Sequence, residues 1–420
     1  MGEGNRMKIV HAADIHLDSP LRGLSRLGDE TARVLRGATR GALVNLVKLV
    51  QTEGASLLVI AGDLYDDDWK DYATGAYFVR QMDVLNDLKI PVVIASGNHD
   101  AESQITRALR LPDNVRMLPV NRPDSVPLED LGVVVHGQGY PTRDLTQNLV
   151  SGYPRRIPDL VNIGLLHTAV TGAEGHALYA PCSPHELEMM QYDYFALGHV
   201  HQRSAVVEGE HPAWFSGNLQ GRNVRESGPK GALVVDFDPS RPAQVDFRAL
   251  DVARWEQVPV DVTNINDTDA ILDAIEASLR KTVGAAQGRH TIVRVLLVGE
   301  SRLAARLQDT EWLDAETERI QERTGAIVES VKVHVLAPAA PDPGAALLRT
   351  AMAKAADRLR EDPVALNGLL KTLDREIRDI AKGEPLSVQD SLDLGDAGVA
   401  LRLLEVAQIA LDARLAGLES

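Results

Sequence analysis

The sequence predicts an α/β fold over residues 7–250, built on a largely parallel sheet. Two observations support this class: short apolar runs rich in β-branched residues, and helical stretches that separate the early runs. The runs expected to form strands are 8–13, 57–61, 92–96, 133–136, 162–166, 194–197 and 232–237. The helices expected between the first of them are 31–50 and 74–88.

A smaller α/β unit is predicted over residues 255–336, because strand and helix patterns also alternate there. Its strands are expected at 256–262, 291–298 and 326–334, and its helices at 269–281 and 301–323. The stretch 337–344 contains three prolines and is interpreted as a linker.

The C-terminal region, residues 344–420, is expected to be helical, with a last helix at about 399–415. Six apolar residues in its middle have the spacing of one helix face: Leu366, Leu369, Leu370, Leu373, Ile377 and Ile380. This face is expected either to dock on its own domain or to bind helices of a partner.

The composition is ordinary for a soluble globular protein, with 420 residues, 44% hydrophobic and 25% charged. No apolar run approaches the roughly 20 residues of a membrane span, and residues 1–7 lack the apolar segment of a secretory signal. Cys182 is the only cysteine, so an intramolecular disulfide is excluded and a cytoplasmic location is expected. The net charge of −16 does not favour a general nucleic-acid binder, although bound cations supply local positive charge.

Five short polar segments each follow directly after a predicted strand. They are Asp-Ile-His at 14–16, Gly-Asp-Leu-Tyr-Asp at 62–66, Gly-Asn-His-Asp at 97–100, His167, and Gly-His-Val-His at 198–201. Ligands in open α/β sheets bind beyond the carboxyl ends of the strands, so these segments are expected to meet at one edge. Any one of them alone is a weak signal, whereas the ordered set indicates a two-cation site that hydrolyses phosphate esters.

The residue types predict roles within such a site. Two divalent cations roughly 3.5–4 Å apart bind an attacking hydroxide and neutralise the phosphate oxygens. Asp63 is the predicted bridging ligand, since a carboxylate offers an oxygen to each cation. The other predicted ligands are Asp14, His16 and His201 for the first cation and Asn98, His167 and His199 for the second. The mixture of imidazole and oxygen ligands favours Mn, Fe, Zn or Co over Mg or Ca, with Mn the first choice.

Two neighbours of these ligands are candidates for catalysis. His99 is not needed as a ligand and is expected to protonate the leaving group or to stabilise charge on the phosphoryl group. Asp100 is expected to fix the tautomer of His99 through a hydrogen bond or to cap a helix, and both roles stay open.

Basic residues after the last motif are candidates for contacts with substrate phosphates. They are Arg203, Arg222 and Arg225, with Lys230 close behind. A solvated loop is the equally supported alternative.

Taken in this order, the residues resemble those of the calcineurin-like metallophosphoesterase superfamily over about residues 7–239. The segments 8–20, 216–225 and 228–231 are similar to the bacterial YhaO group, within the branch of SbcD-type and Mre-type DNA-repair exonucleases. The chain departs from this branch at Asp66, where many Mre-type enzymes carry a histidine.

The resemblance implies a four-layer αββα sandwich at residues 7–250, a capping domain at 255–336 and C-terminal helices at 344–420. It also implies two Mn ions, nuclease activity on DNA, and an SMC-like ABC-type ATPase partner that the C-terminal helices bind. A homodimer is left open.

Three functions therefore compete. The leading expectation is a two-metal DNA exonuclease or endonuclease in DNA repair, which the capping domain and the C-terminal helices favour. The alternative is a phosphodiesterase or phosphatase acting on a small-molecule phosphate ester, which the net charge of −16 favours. The third is a scaffold protein whose main task is partner binding, and the complete ligand set argues against it.

Overall fold

The computed structural model describes residues 6–19, 35–66, 72–102, 110–170, 179–338, 343–362, 364–366 and 368. The chain divides into two compact units. Unit 1 comprises Met1–Glu256 with Ala286–Ile292, and unit 2 comprises Gln257–Ala285 with Val293–Ser420.

Unit 1 contains two six-stranded sheets within its described residues. In chain order its strands are β1 (Met7–Ala12), β2 (Leu57–Ala61), β3 (Val92–Ala95), β4 (Val115–Met117), β5 (Asp124–Leu128), β6 (Val133–Gly137), β7 (Val161–His167), β8 (Tyr194–Gly198), β9 (Ser204–Val207), β10 (Ala213–Phe215), β11 (Gly231–Asp238) and β12 (Arg241–Ala249). Its described α-helices are α1 (Ala38–Thr52), α2 (Tyr72–Asp87) and α3 (Pro184–Met189). The first sheet has the order β12-β11-β1-β2-β3-β4, and the second has the order β5-β6-β7-β8-β10-β9.

The central strands of both sheets are parallel. β1 to β4 pair in parallel in the first sheet, as do β6, β7, β8 and β10 in the second. Antiparallel strands lie on the flanks, namely β11 and β12 in the first sheet and β5 and β9 in the second. The five polar segments therefore all begin at carboxyl ends of parallel strands, where ligands bind in α/β folds.

Residues along each central strand alternate between two apolar layers, because successive side chains point to opposite faces. Val59 packs between the two sheets, whereas its neighbour Ile60 packs in the layer that contains α1 and α2. His11 is buried on the inner face, with Nδ1 2.9 Å from the hydroxyl of Tyr194 and Nε2 3.2 Å from the carbonyl of Leu197. Burial lowers the pKa of His11 to about 3, so a neutral ring links the two sheets.

The predicted α/β class is confirmed, and each of the seven strands predicted over residues 7–250 lies within one residue of its expected ends. The strands that the sequence analysis missed are β4, β5, β9, β10 and β12. These are short or partly exposed strands on or near the sheet margins, so they lack the continuous apolar run of a buried strand. Beside the second sheet, the described residues include one short α-helix, α3.

Unit 2 is an α/β structure around a three-stranded sheet of order β13-β14-β15. Its elements, of which β13 and β14 begin in unit 1, are β13 (Ala253–Asp261), α4 (Thr268–Ala285), β14 (His290–Glu300), α5 (Ala304–Leu307), α6 (Thr310–Thr324), β15 (Ile327–Leu336) and α7 (Pro343–Glu361). Ile271, Ile275 and Leu279 recur every four residues on α4 and are fully buried. They share one apolar cluster with alternate residues of β14. The apolar face of the helix and one face of the strand therefore pack into one core.

Most of the predicted C-terminal helices, from residue 369 onward, lie outside the described residues, as do residues 31–34 of the first predicted helix. The division into 7–250, 255–336 and 344–420 therefore stays a prediction. Within the described part of the chain, no helix is both long and apolar enough to span a membrane.

Candidate metal centre

The loops after β1 and β2 hold their polar residues in a backbone conformation that side chains rarely adopt. Asp14, His16 and Asp63 have φ values of 50°, 44° and 51°, in the left-handed region. Hydrogen bonds from Asp14 N to Gly62 O and from His16 N to Asp63 O, both 3.0 Å, hold the two loops together. Backbone strain of this kind costs on the order of 1 kcal/mol or more per residue. It persists only where the surrounding contacts hold the residue in place, and it is concentrated at functional sites.

Glycines begin the motifs after β2 and β3 because neighbouring groups leave no room for a Cβ atom. A Cβ on Gly97 would lie 2.2 Å from Asp63 Oδ1, and one on Gly62 would lie 2.3 Å from His167 Nδ1. The φ of Gly62 is also +87°, which glycine adopts at low cost. The close approach of these loops to His167 therefore depends on both glycines.

Ligand-type atoms of Asp14, His16 and His201 lie within 4.8 Å of one another and form the first group. Nε2 of His16 is 3.2 Å from Nε2 of His201. The opposite nitrogens point at carboxylates: His16 Nδ1 is 2.5 Å from Asp66 Oδ1, and His201 Nδ1 is 2.8 Å from Glu226 Oε1. An ionised carboxylate only accepts, so the protons lie on Nδ1 and the two Nε2 lone pairs face each other.

The carboxylates of Asp66 and Glu226, which accept these hydrogen bonds, are ionised. Burial would raise the pKa of Asp66 and of Glu226, but hydrogen bonds from His16 and His201 and the positive charge of Arg222 outweigh it. Both pKa values therefore lie well below the usual range. Two imidazole nitrogens that bind one cation at about 2.1 Å are themselves roughly 3–3.4 Å apart, so the facing Nε2 atoms fit a shared cation.

Asp14, Asp63 and His167 form the second group, again within 4.8 Å. His167 donates from Nδ1 to the carbonyl of Ala61 at 2.9 Å, which leaves Nε2 as the free acceptor. That Nε2 lies 2.9 Å from Asn98 Oδ1 and 3.5 Å from Asp63 Oδ2.

The two groups adjoin at the carboxylates of Asp14 and Asp63. Asp63 Oδ2 is 3.8 Å from His16 Nε2 in the first group and 3.5 Å from His167 Nε2 in the second. This location is the one that a bridging ligand requires. Asp14 belongs to both groups, whereas the sequence analysis assigned it to the first cation alone.

His199 lies beside the second group. Its ring centroid is 5.2 Å from that of His167, and its backbone N donates to the carboxylate oxygens of Asp14 at 3.1 and 3.2 Å. Its φ of 104° is a further strained conformation next to the site. All seven predicted ligands are thus brought together at the carboxyl ends of strands from both sheets, and their assignment to particular cations stays a prediction.

The electrostatics of the two groups favour cation binding. Burial, followed by the nearby charge of Asp63, raises the pKa of Asp14 well above its usual range, and burial raises that of Asp63 to about 6. Burial also lowers the pKa of His16 and of His167 to about 3, so both rings are neutral. Neutral imidazoles and closely spaced buried carboxylates fit divalent cations, since metal binding requires deprotonated ligands and offsets the carboxylate charge.

Asp100 was expected to fix the tautomer of His99 or to cap a helix, and its observed hydrogen bonds go to the backbone of two loops. Its carboxylate is buried and accepts three backbone N–H groups, from Gly97 at 2.9 Å, Leu64 at 3.2 Å and Tyr65 at 3.0 Å. Asp100 therefore clamps the loops after β2 and β3 together, and its hydrogen bonds do not support a role as the tautomer partner of His99.

His99 is close to a different carboxylate. Its Nδ1 lies 3.9 Å from Asp66 Oδ1, while its backbone N donates to Asp63 Oδ1 at 3.0 Å. The side chain is 25% exposed, in contrast to its buried neighbours Asn98 and Asp100. An imidazole that is fixed by its backbone to the shared ligand and open to solvent is suited to proton transfer with a substrate.

The three predicted phosphate-binding arginines differ in their surroundings. Arg222 donates to Asp66 and to Glu226, each at 3.3 Å, so its charge is directed at the carboxylates behind the first group. Arg203 is exposed, and its Cζ lies 4.0 Å from the ring centroid of Phe247. Arg225 is exposed, and no described residue pairs with its guanidinium. Substrate contact by Arg222 is therefore disfavoured by its existing partners.

A cavity of about 110 Å³ lies beside His201. Its lining residues are His201, Gln202, Arg203, Ser216, Gly217, Asn218, Ser227, Gly228, Pro229 and Lys230. Lys230 is buried and donates to the carbonyl of His201 at 2.9 Å. Among the described residues that line this cavity, Arg203 and Lys230 are cationic and none carries a carboxylate, in a chain of net charge −16.

Glu226 and the contacts of Asp66 were not predicted from the sequence. Asp66 contacts a histidine 50 positions away, and Glu226 contacts one 25 positions away. Neither pair has a local spacing that a sequence pattern would reveal. A carboxylate close behind the similar segment 216–225 was the available signal for Glu226.

Comparisons with known proteins identify the family of this chain. The family described as calcineurin-like phosphoesterase matches residues 7–203, and the family described as metallophosphoesterase YhaO, middle domain, matches residues 255–336. The chain is 30% identical over 311 residues to "Uncharacterized metallophosphoesterase YhaO" of Bacillus subtilis, covering 73% of each protein. It is 26% identical over 279 residues to a subunit of the nuclease SbcCD from Staphylococcus epidermidis, covering 60% of this chain and 72% of that protein. The chain therefore belongs to the calcineurin-like metallophosphoesterases, in the branch that contains YhaO and SbcD, and it is a metal-binding hydrolase.

Proposed function

We propose that this protein is a two-metal DNA nuclease that hydrolyses phosphodiester bonds, with Mn as the favoured metal. The observation that carries the proposal is the junction of the two ligand groups at Asp63, whose Oδ2 lies 3.8 Å from His16 Nε2 and 3.5 Å from His167 Nε2. Paired cations are the arrangement used for in-line displacement at phosphorus.

In this proposal, seven residues hold the cations and a separate residue handles the proton. Asp14, His16 and His201 would hold one cation, and Asn98, His167 and His199 the other, with Asp63 between them. When bound, the cations supply an activated hydroxide and neutralise charge on the phosphate. His99 would hold the proton for the leaving oxygen, because its partly exposed ring lies beside the shared ligand Asp63, to which its backbone N donates.

The cavity beside His201 supports a substrate that carries more than one phosphate. Arg203 and Lys230 line it, and the described lining contains no carboxylate. Contacts of such cations with backbone phosphates would position a nucleic acid without reading its sequence. Exposed Arg225 would extend the basic surface.

A small-molecule phosphate ester is the second candidate substrate. The net charge of −16 favours it, because long-range repulsion opposes the approach of a polyanion but affects a singly charged ester less.

The proposal extends to a partner. The relative from Staphylococcus epidermidis is, by its name, one subunit of the nuclease SbcCD. We propose that residues 344–420 form a separate helical element, after a capping domain at 255–336, that docks an SMC-like ABC-type ATPase. Purification of the tagged full chain from its host, with identification of any ATPase by mass spectrometry, tests this part separately from the chemistry.

A direct assay tests the chemistry. Metal-stripped protein is supplied with Mn²⁺, Mg²⁺ or Ca²⁺ and with end-labelled single- and double-stranded DNA, beside bis-p-nitrophenyl phosphate. Asp63→Asn should abolish both activities. Arg294→Gln, which breaks a partly buried ion pair with Glu329 in unit 2, should abolish neither. Turnover of the small diester without any DNA cleavage would refute the nuclease assignment and favour the second candidate.

A further inference from the structure

Three charged side chains outside the predicted ligand set converge behind the first group. The guanidinium of Arg222 donates from Nη1 to Asp66 Oδ1 and from Nη2 to Glu226 Oε1, both at 3.3 Å. All three side chains are mostly buried, with 19%, 22% and 11% exposed for Arg222, Asp66 and Glu226. Arg222 thus joins two carboxylates that come from different loops.

Each carboxylate in turn holds one imidazole of the first group. Asp66 accepts from His16 Nδ1 at 2.5 Å, and Glu226 accepts from His201 Nδ1 at 2.8 Å. The second oxygen of Glu226 is fixed by the backbone N of Arg222 at 2.7 Å and by the side-chain amide of Asn218 at 2.9 Å. The orientation and tautomer of both rings therefore depend on carboxylates that share one guanidinium.

The second group is oriented differently. The Nδ1 of His167 donates to the main-chain carbonyl of Ala61, the last residue of β2. That carbonyl is held by the sheet itself and involves no charged side chain. A change at Arg222 should therefore disturb the histidines of the first group and leave the His167 ring in place.

We propose that Arg222 is a positioning residue which, through Asp66 and Glu226, preorganises the first cation position and sets its affinity separately from that of the second. Outer-shell partners of metal-binding histidines typically contribute 10–100-fold to metal affinity. The proposal rests on the cation site put forward above, but it does not depend on which phosphate ester is cleaved.

Calorimetric titration of the metal-stripped full chain with Mn²⁺ tests it. We expect two binding events in the unmodified protein, and in Arg222→Gln a loss of 10–100-fold in one event with the other unchanged. Arg294→Gln is the matched control, because it also removes a partly buried arginine from a carboxylate and should alter neither event. Spectra of ¹⁵N-histidine-labelled protein in chelator should show Nδ1-protonated rings, and Arg222→Gln should convert two of them to mixed tautomers.

Glu226→Gln provides a second variant in case Arg222→Gln does not fold. It keeps an oxygen next to His201 but removes the charge, and we expect the same selective loss of one binding event. Equal weakening of both events, or unchanged affinity in both variants, would overturn the proposal. Two intact Mn²⁺ sites without DNA cleavage would instead refute the nuclease function and leave the role of Arg222 standing.

Discussion

Replacing Gly97 with alanine should damage the centre without adding any new chemistry. The added Cβ would lie 2.2 Å from Asp63 Oδ1 and 2.6 Å from Asp63 N, whereas real Cβ atoms essentially never approach closer than 3.0 Å. The carboxylate must therefore retreat by about 0.8 Å, the difference between 2.2 and 3.0 Å. Rotation of the side chain cannot relieve the contact with the backbone N, so the loop itself must shift.

A displacement near 1 Å at a catalytic position typically costs about 100-fold in rate. We therefore expect Gly97→Ala to lower kcat/KM for bis-p-nitrophenyl phosphate by roughly 30- to 100-fold at saturating Mn²⁺. The crowding should also lower the free energy of unfolding by about 1–3 kcal/mol, measured by urea denaturation in chelator.

The matched control is Gly284→Ala, the same substitution near the end of α4, where an added Cβ meets nothing within 4 Å. It should leave kcat/KM unchanged and slightly stabilise the fold, because alanine favours a helix over glycine. If Gly97→Ala retained kcat/KM within threefold of the unmodified protein, the argument that Asp63 must occupy its observed position would fail.

Four further outcomes are expected. His99→Ala should lower kcat for DNA by about 10²–10⁴-fold while Mn²⁺ affinity stays constant, and a large loss of affinity would instead make His99 a ligand. Asp100→Asn should lower the free energy of unfolding in urea by about 1–3 kcal/mol, since an amide nitrogen cannot accept from the backbone N–H groups that Asp100 holds. Tyr140→Phe removes a buried hydroxyl that has no hydrogen-bond partner among the described residues, and it should not lower the free energy of unfolding. Tyr153→Phe removes a hydroxyl that donates to a carbonyl at 2.8 Å and should lower the free energy of unfolding by about 1–2 kcal/mol; equal losses in the two variants would contradict this. Burial raises the pKa of Asp63 to about 6, so protons compete with cations below that pH, and calorimetric Mn²⁺ affinity should fall as pH drops through 6; a fall only near pH 4 would contradict the shift.

Much of the fold could be predicted from the sequence because the central strands are buried on both faces. A strand such as β2, Leu57–Ala61, has every residue buried, which imposes a continuous apolar run. Flanking strands such as β5 face solvent on part of their surface and even contain a proline, so no comparable pattern marks them. The candidate ligands could be predicted for a related reason, since polar residues interrupt the buried apolar runs abruptly where each strand ends.

The contacts around the ligands could not be predicted from the sequence, and Asp100 illustrates why. Its neighbour in sequence is His99, which made a hydrogen bond between them a natural prediction. In the folded chain its oxygens face the backbone of residues 64, 65 and 97 instead. Which groups a side chain meets is decided by how the loops pack, and sequence adjacency does not determine that.

By itself, the sequence determined the α/β class, the central strands and the set of residues that meet at the sheet edge, because burial and strand periodicity constrain residue type locally. Tertiary structure alone decided that Arg222 serves Asp66 and Glu226 rather than an exposed phosphate site, and that Asp66 contacts His16. These contacts join positions up to 156 residues apart. They arise because the packing of two sheets brings the loop after β2 of the first sheet beside the segment after β10 of the second, and no local spacing in the chain encodes them.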